Sequence, residues 1–202
     1  MTNNSLMDAE PEWVVAPAPV PYGDAVAAMS AHVDAMRAGQ AGERVWLLEH
    51  PPVYTMGLSA RDADLVAPGA IPVVRTSRGG QITYHGPGQR VIYPMLDLPG
   101  RGLDIRCYVD RLEGWIIAAL TALGVEAQRR PGRVGLWLPG PGGRDDKLVA
   151  IGVRVRRGIS LHGAAINRDL DLTPFDGIVP CGIREHGVTS LRKLGVNTDQ
   201  GT

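Results

Sequence analysis

The chain has 202 residues, which suits one domain able to bury about 70% of its unfolded surface without disulfides or metal. Its 21 Lys and Arg balance its 21 Asp and Glu, which argues against a general nucleic-acid binder, and 5% aromatic content argues against a base-stacking platform. Two cysteines cannot build a disulfide framework, residues Met1 to Ser5 lack signal-peptide character, and no apolar run reaches the ~20 residues that span a bilayer. A soluble cytoplasmic protein with free thiols is expected.

Residues 1–12 are polar and read as a loose tail, 13–194 as a single domain, and 195–202 as a second loose tail. Apolar side chains at Val26, Met29, Val33 and Met36 step by three and four, which predicts a helix over 22–38 closed by Gly39. Val45-Trp46-Leu47-Leu48 reads as a buried strand that must end at His50-Pro51-Pro52. Ile71 to Arg75 and Val91 to Leu96 predict two further strands, joined through a glycine-rich segment that reads as a hairpin with a turn. Val109, Leu112, Ile116, Ile117 and Leu120 form the inner stripe of a helix over 106–123, capped by Asp104 and stopped by Gly124. Arg133 to Leu138 and Lys147 to Val155 read as strands around an exposed loop (139–146) that ends in an acidic turn, Asp145-Asp146. Arg157-Gly158 predicts a tight hairpin into Ile159 to Ile166. Leu170 to Leu194 is expected to be loop with one or two short helices. The class is α+β, or mixed α/β.

Four features of this chain carry potential chemistry. Arg78 to Gln89 combines glycines, which let a backbone approach a ligand closely, with Arg78, Gln81, Tyr84 and His85, which a mere turn does not need. It lacks the spacing of a P-loop or of a dinucleotide fingerprint. Cys181, between Pro180 and Gly182, suits either an accessible thiol or a small buried hydrophobe. Cys107 opens an amphipathic helix and is expected to pack into the core, although a helix N-terminus can depress a thiol pKa. Lys147 stands out because charge is otherwise carried by Arg, Lys193 excepted, and Lys can titrate usefully where Arg cannot. The five histidines show no metal-ligand spacing, and His162 reads as a core or edge residue of a strand with a possible accessory role. Arg129, Arg130 and Arg133, with Arg154, Arg156 and Arg157, form basic patches suited to docking an acidic partner.

The segment Arg78-Gly79-Gly80-Gln81-Ile82-Thr83-Tyr84-His85-Gly86-Pro87-Gly88-Gln89 resembles the signature of the octanoyl-[acyl carrier protein]:protein N-octanoyltransferases. Three stretches agree and follow in that family's order: His50 to Gly57, Lys147 to Arg154, and His162 to Asn167 followed by Pro180-Cys181-Gly182. The resemblance covers about residues 20–192. It implies a biotin/lipoate protein ligase-like catalytic fold, with a large and a small mixed β-sheet packed by helices. It also implies octanoyl transfer from octanoyl-acyl carrier protein to a lysine of lipoyl domains, those of 2-oxoacid dehydrogenase complexes and the glycine cleavage H protein, without cofactor or metal. In the resembled family a cysteine carries the acyl thioester and a lysine lowers its pKa; these roles map onto Cys181 and Lys147. Substrate contacts map onto Arg78, Gly79, Gly80, Gln81, Ile82, Thr83, Tyr84 and His85, onto Ala150, Ile151 and Gly152, and onto Gly163, Ala164 and Ala165. Many relatives have Ser where Ala150 stands. Two alternatives remain: an ATP-dependent lipoate or biotin ligase of the same fold, and a non-catalytic module that binds acyl groups or the carrier protein.

Overall fold

The computed structural model describes residues 10–179 and 186–196. Strand β1 (Glu12–Val15) lies parallel to β2 (Arg44–Leu48), so the stretch expected to be a loose tail ends in a sheet edge. Between them runs α1 (Tyr22–Arg37), which buries Tyr22, Ala25, Met29 and Val33 along one face and ends where Gly39 takes a left-handed φ of 69°. Strands β3 (Val53–Met56), β4 (Val73–Arg75) and β5 (Ile82–His85) form the small sheet, in the order β4-β3-β5.

The glycine-rich segment is not the expected hairpin. Strand β5 pairs with β3, and Gly86-Pro87-Gly88 then carries the chain into the large sheet as β6 (Gln89–Met95). Gly88 turns there with φ of 84°, and a Cβ at that position would lie 2.5 Å from the Asp169 carbonyl oxygen, so the crossover needs glycine.

Helix α2 (Ile105–Ala122) begins as expected: the Asp104 carboxylate accepts the Cys107 N–H at 2.7 Å. Strands β7 (Gln128–Arg130), β8 (Arg133–Pro139), β9 (Asp145–Arg156), β10 (Ile159–Asn167) and β11 (Gly187–Val188) complete the large sheet. Its order is β1-β2-β6-β10-β9-β8-β7, with β11 alongside β9. The β9–β10 hairpin closes as predicted, with left-handed φ at both Arg157 (53°) and Gly158 (89°).

Helix α2 buries Tyr108, Leu112, Ile116 and Leu120 against Leu136, Leu148 and Val149, and Val196 packs on the same cluster. The chain thus stays packed two residues into its expected C-terminal tail. On the other side, α1 sets Met29 and Val33 against Tyr93 and Leu161. Each such aliphatic side chain taken fully out of water contributes roughly 1.5–3 kcal/mol.

Three further expectations are corrected. Cys107 is exposed, because the inner stripe of α2 runs through Tyr108 and Leu112 and leaves the preceding residue outside. Asp145 and Asp146 are not a turn but the first residues of β9; Arg130 and Arg133 pair with Asp145, and Arg144 pairs with Asp146. Lys193 sits in a hydrogen-bonded turn rather than a helix.

Candidate active site

A β-bulge sets the position of Lys147. Between β8 and β9, Leu136 is opposite Val149 while Trp137 is opposite Lys147, so Leu148 is an extra residue on β9. The bulge lets Leu148 and Val149 both enter the core beneath α2, while Lys147 and Trp137 face the other side. Lys147 is therefore not a solvated strand end: it is 8% exposed, and its Nζ stands 4.4 Å from the Trp137 ring centroid. Nζ also donates to the Val134 carbonyl at 3.4 Å. Glycine is needed at 135, where φ is 114° and a Cβ would lie 2.5 Å from the Val149 oxygen across the bulge. On the opposite edge of β9, Val188 of β11 pairs with Lys147.

Lys147 opens onto a cavity of about 620 Å³ between the two sheets. The floor is made of small residues, Ala150 and Gly152 of β9 and Gly163 and Ala165 of β10, and the roof comes from Gly80 to Thr83 and His85. Arg61, Arg78, Arg133 and Lys147 line it, and among the described residues no carboxylate does. Arg61 and Arg133 are held from outside by Asp64 and Asp145. The resulting field favours an anion or a developing oxyanion.

The loop ahead of β5 is seated by close backbone contacts. Gly79 donates its N–H to the Val153 carbonyl at 2.9 Å. A Cβ on Gly57 would stand 2.3 Å from the Gly80 oxygen, and one on Gly152 3.0 Å from the Gly79 oxygen. Arg78 is nearly buried; its Nη2 donates to the Thr55 carbonyl (2.6 Å) and hydroxyl (2.7 Å), and its Nη1 donates to the Gly79 carbonyl (2.9 Å).

From there a buried polar chain crosses the site. Thr55 Oγ1 lies 3.2 Å from His85 Nε2, His85 Nδ1 lies 2.6 Å from Gln89 Oε1, and Gln89 Nε2 donates to Asn167 Oδ1 at 2.9 Å. The Gln89 oxygen must accept from Nδ1–H, so His85 accepts at Nε2 and the Thr55 hydroxyl donates to it. Burial, then the neighbouring His50 and Arg78, depresses the His85 pKa to about 3 and keeps the ring neutral. His50 is fixed in the same sense, donating from Nδ1 to the Val20 carbonyl (2.6 Å) and meeting the Tyr93 hydroxyl at Nε2 (2.7 Å).

His162 is 3% exposed, lines the cavity and takes a left-handed φ of 57°, a conformation that costs a non-glycine residue energy. Burial, then Arg78 and Arg154, lowers its pKa to about 4. Its Nδ1 and the Gln81 Oε1 are buried without a hydrogen-bond partner among the described residues. Two unmet polar atoms lining the cavity, one on β10 and one in the loop ahead of β5, suit a ligand that carries its own donors and acceptors.

The predicted site residues largely converge. Lys147, Arg78, Gly80, Gln81, Ile82, Thr83 and His85 line the one cavity. Ala150, Ile151, Gly152, His162, Gly163, Ala164 and Ala165 line it too. Gly79 and Tyr84 do not: Gly79 anchors the loop to β9, and Tyr84 packs against Tyr54 and Phe175 in the small-sheet core. Cys181 lies outside the described residues. Tyr22, Gln89, Tyr93, Trp137 and Asn167 line the cavity and were not singled out. Gln89 and Asn167 stand inside motifs already quoted, and alternation along their strands was the signal available. The arginine patches are largely neutralised internally: Arg129 pairs with Asp110 and Glu113, Arg130 and Arg133 with Asp145, and Arg156 with Asp34.

This fold, with its cavity between unequal sheets, has solved counterparts. The bipartite lipoate protein ligase of Thermoplasma acidophilum superimposes with a TM-score of 0.66 at 18% identity, covering 95% of this chain and 78% of that one. A lipoate-protein ligase A bound with ATP gives 0.68 at 17% identity over 95% of this chain and 80% of its own. The family model for the lipoyl protein ligase A/B catalytic domain matches residues 21–200, and the chain belongs to that family. Curated relatives narrow the grouping to the octanoyltransferases. The octanoyltransferase of Paramagnetospirillum magneticum is 59% identical over 92% of this chain and 87% of its own length. That of Caulobacter vibrioides is 55% identical over 94% of this chain and 85% of its own. Among the described residues no helix is long and apolar enough to cross a membrane.

Proposed function

We propose that this protein transfers an octanoyl group from octanoyl-acyl carrier protein to one lysine of a lipoyl domain, with Cys181 as the covalent carrier. The acceptors are the lipoyl domains of 2-oxoacid dehydrogenase complexes and the glycine cleavage H protein, and the work is done in the cytoplasm, where carrier protein is charged. The observation that carries the reading is the buried Lys147, aimed by a β-bulge into a cavity lined by cations. Chain connectivity supports its pairing with Cys181, because Val188, which pairs with Lys147, comes only seven residues later.

A free thiol has a pKa of about 8.5 and needs a neighbouring cation to be substantially thiolate at neutral pH. The Lys147 ammonium supplies that charge. The Cys181 thiolate attacks the thioester carbonyl of the donor, a C–S bond forms, and the tetrahedral oxyanion collapses with loss of the carrier thiolate, which takes its proton from the Lys147 ammonium. Exchange of one thioester for another is nearly balanced in energy. In the second half-reaction the neutral acceptor amine attacks octanoyl-Cys181, a C–N bond forms, and the cysteine leaves as thiolate. The proton released by the amine passes to the Lys147–Cys181 pair. Cationic side chains around the cavity favour the oxyanion in both halves. The acyl group arrives activated, so no ATP is consumed.

Mixing the protein with octanoyl-acyl carrier protein and a lipoyl domain, without nucleotide, is expected to give an octanoylated lysine by mass spectrometry. Product formed only from free octanoate and ATP would instead establish an adenylate-forming ligase. Binding of the carrier without product would leave a docking module.

A further inference from the structure

Strand β11 is two residues long and, among the described residues, pairs only with β9, too little pairing to hold itself in place. It nevertheless lies against Lys147, with Val188 as the partner of that residue and the Thr189 N–H donating to the Lys147 carbonyl at 3.0 Å. The tether is Asn167. Its Nδ2 donates to the Thr189 carbonyl at 2.9 Å, and its own carbonyl accepts the Leu191 N–H at 2.9 Å. Its Oδ1 is taken by Gln89, its cross-strand partner on β6, and Gln89 is held in turn by His85. Asn167, Gln89, Thr189 and Ser190 are all buried, so losing one of these bonds leaves a buried polar group short of a partner.

We propose that Asn167 is a positioning residue for the transfer reaction. It acts through Thr189, clamping the returning strand to the backbone of Lys147 and so fixing the ammonium relative to the thiol that it serves. The clamp is anchored by Gln89 and His85, which makes the polar chain across the site a brace between the two sheets. This inference rests on the Lys147–Cys181 reading above.

Three readouts on the full chain test it, with Asn167→Ala and the isosteric Asn167→Asp, which keeps the volume and the acceptor for Gln89 while removing the donor to Thr189. Hydrogen exchange at the Thr189 amide is expected to rise about tenfold or more in both variants, with the β6 and β10 amides unchanged. Turnover is expected to fall about tenfold or more in both variants, with a smaller change in KM, since Asn167 is one of many residues that line the cavity. The pH midpoint of iodoacetamide reaction at Cys181 is expected to move upward in Asn167→Ala, in the same direction as in Lys147→Met. A folded Asn167→Ala protein that keeps the wild-type midpoint and turnover, while Lys147→Met is shifted, overturns the positioning role alone. A wild-type midpoint in Lys147→Met overturns the lysine–cysteine reading itself. Unchanged Thr189 exchange in Asn167→Asp shows that the clamp does not depend on the amide donor, and also overturns the proposal.

Discussion

Lys147 rests on Trp137: its ammonium nitrogen is 4.4 Å from the indole centroid, and Arg133 approaches the same ring at 5.0 Å. A fully buried tryptophan between two cations both fills volume and presents a π face to charge. Trp137→Ala is expected to lower stability by about 3–5 kcal/mol in urea unfolding and to reduce turnover severely, whereas Trp137→Phe retains a π face and most of the activity. Equal losses in the two variants would show that only packing matters at this position.

The seat of the loop ahead of β5 is steric. Gly57→Ala would place a Cβ 2.3 Å from the Gly80 carbonyl oxygen and 2.7 Å from Arg78 Nη1, so the loop has to lift. Steady-state kinetics with the carrier-protein donor are expected to show KM raised several-fold, together with a lower Tm. An unchanged KM would mean that Gly80 is not a substrate contact.

Thr55 joins Arg78 to His85 through one hydroxyl, accepting from the guanidinium and facing the imidazole at 3.2 Å. Thr55→Val keeps the shape and leaves both partners short of a bond, at a cost of roughly 1–3 kcal/mol. Chemical denaturation measures the stability loss. A neutral result would mean that the buried chain is decorative.

Much of this architecture could be read from the residues. The stripes of α1 and α2, the Asp104 cap and the Arg157-Gly158 hairpin follow from spacing and turn chemistry, and the structure has them within one or two residues. Strands β3 and β5 were harder, because each is four residues long and carries no alternation that separates it from loop. The bulge at Leu148 was invisible: Lys147-Leu148-Val149-Ala150 looks like an ordinary strand, yet the extra residue decides which face Lys147 occupies. Tyr84 illustrates the opposite failure. The family resemblance implied a substrate contact for it, but the two-residue period of β5 sends it into the small-sheet core while His85 faces the cavity.

The neutral histidines make stability depend on pH. In the unfolded chain they titrate near 6.5, whereas burial holds His162 at about 4 and His85 at about 3 when folded. Between those values the unfolded state binds more protons, so stability is full above pH 6.5 and declines as pH falls toward 4 and then 3. Comparing unfolding at pH 7 and pH 4.5 is expected to show a loss on the order of 2–3 kcal/mol traceable to His162. His162→Asn, which tolerates the left-handed backbone, should flatten that part of the slope. The same slope in the variant would assign the loss to other groups.

Intact-mass analysis after brief mixing with octanoyl-acyl carrier protein, in the absence of acceptor, tests the covalent route most directly. The wild-type chain is expected to gain one octanoyl group, Cys181→Ala none, and Lys147→Met to acquire it far more slowly. An adduct that persists in Cys181→Ala, or steady transfer to the lipoyl domain by that variant, would contradict the account.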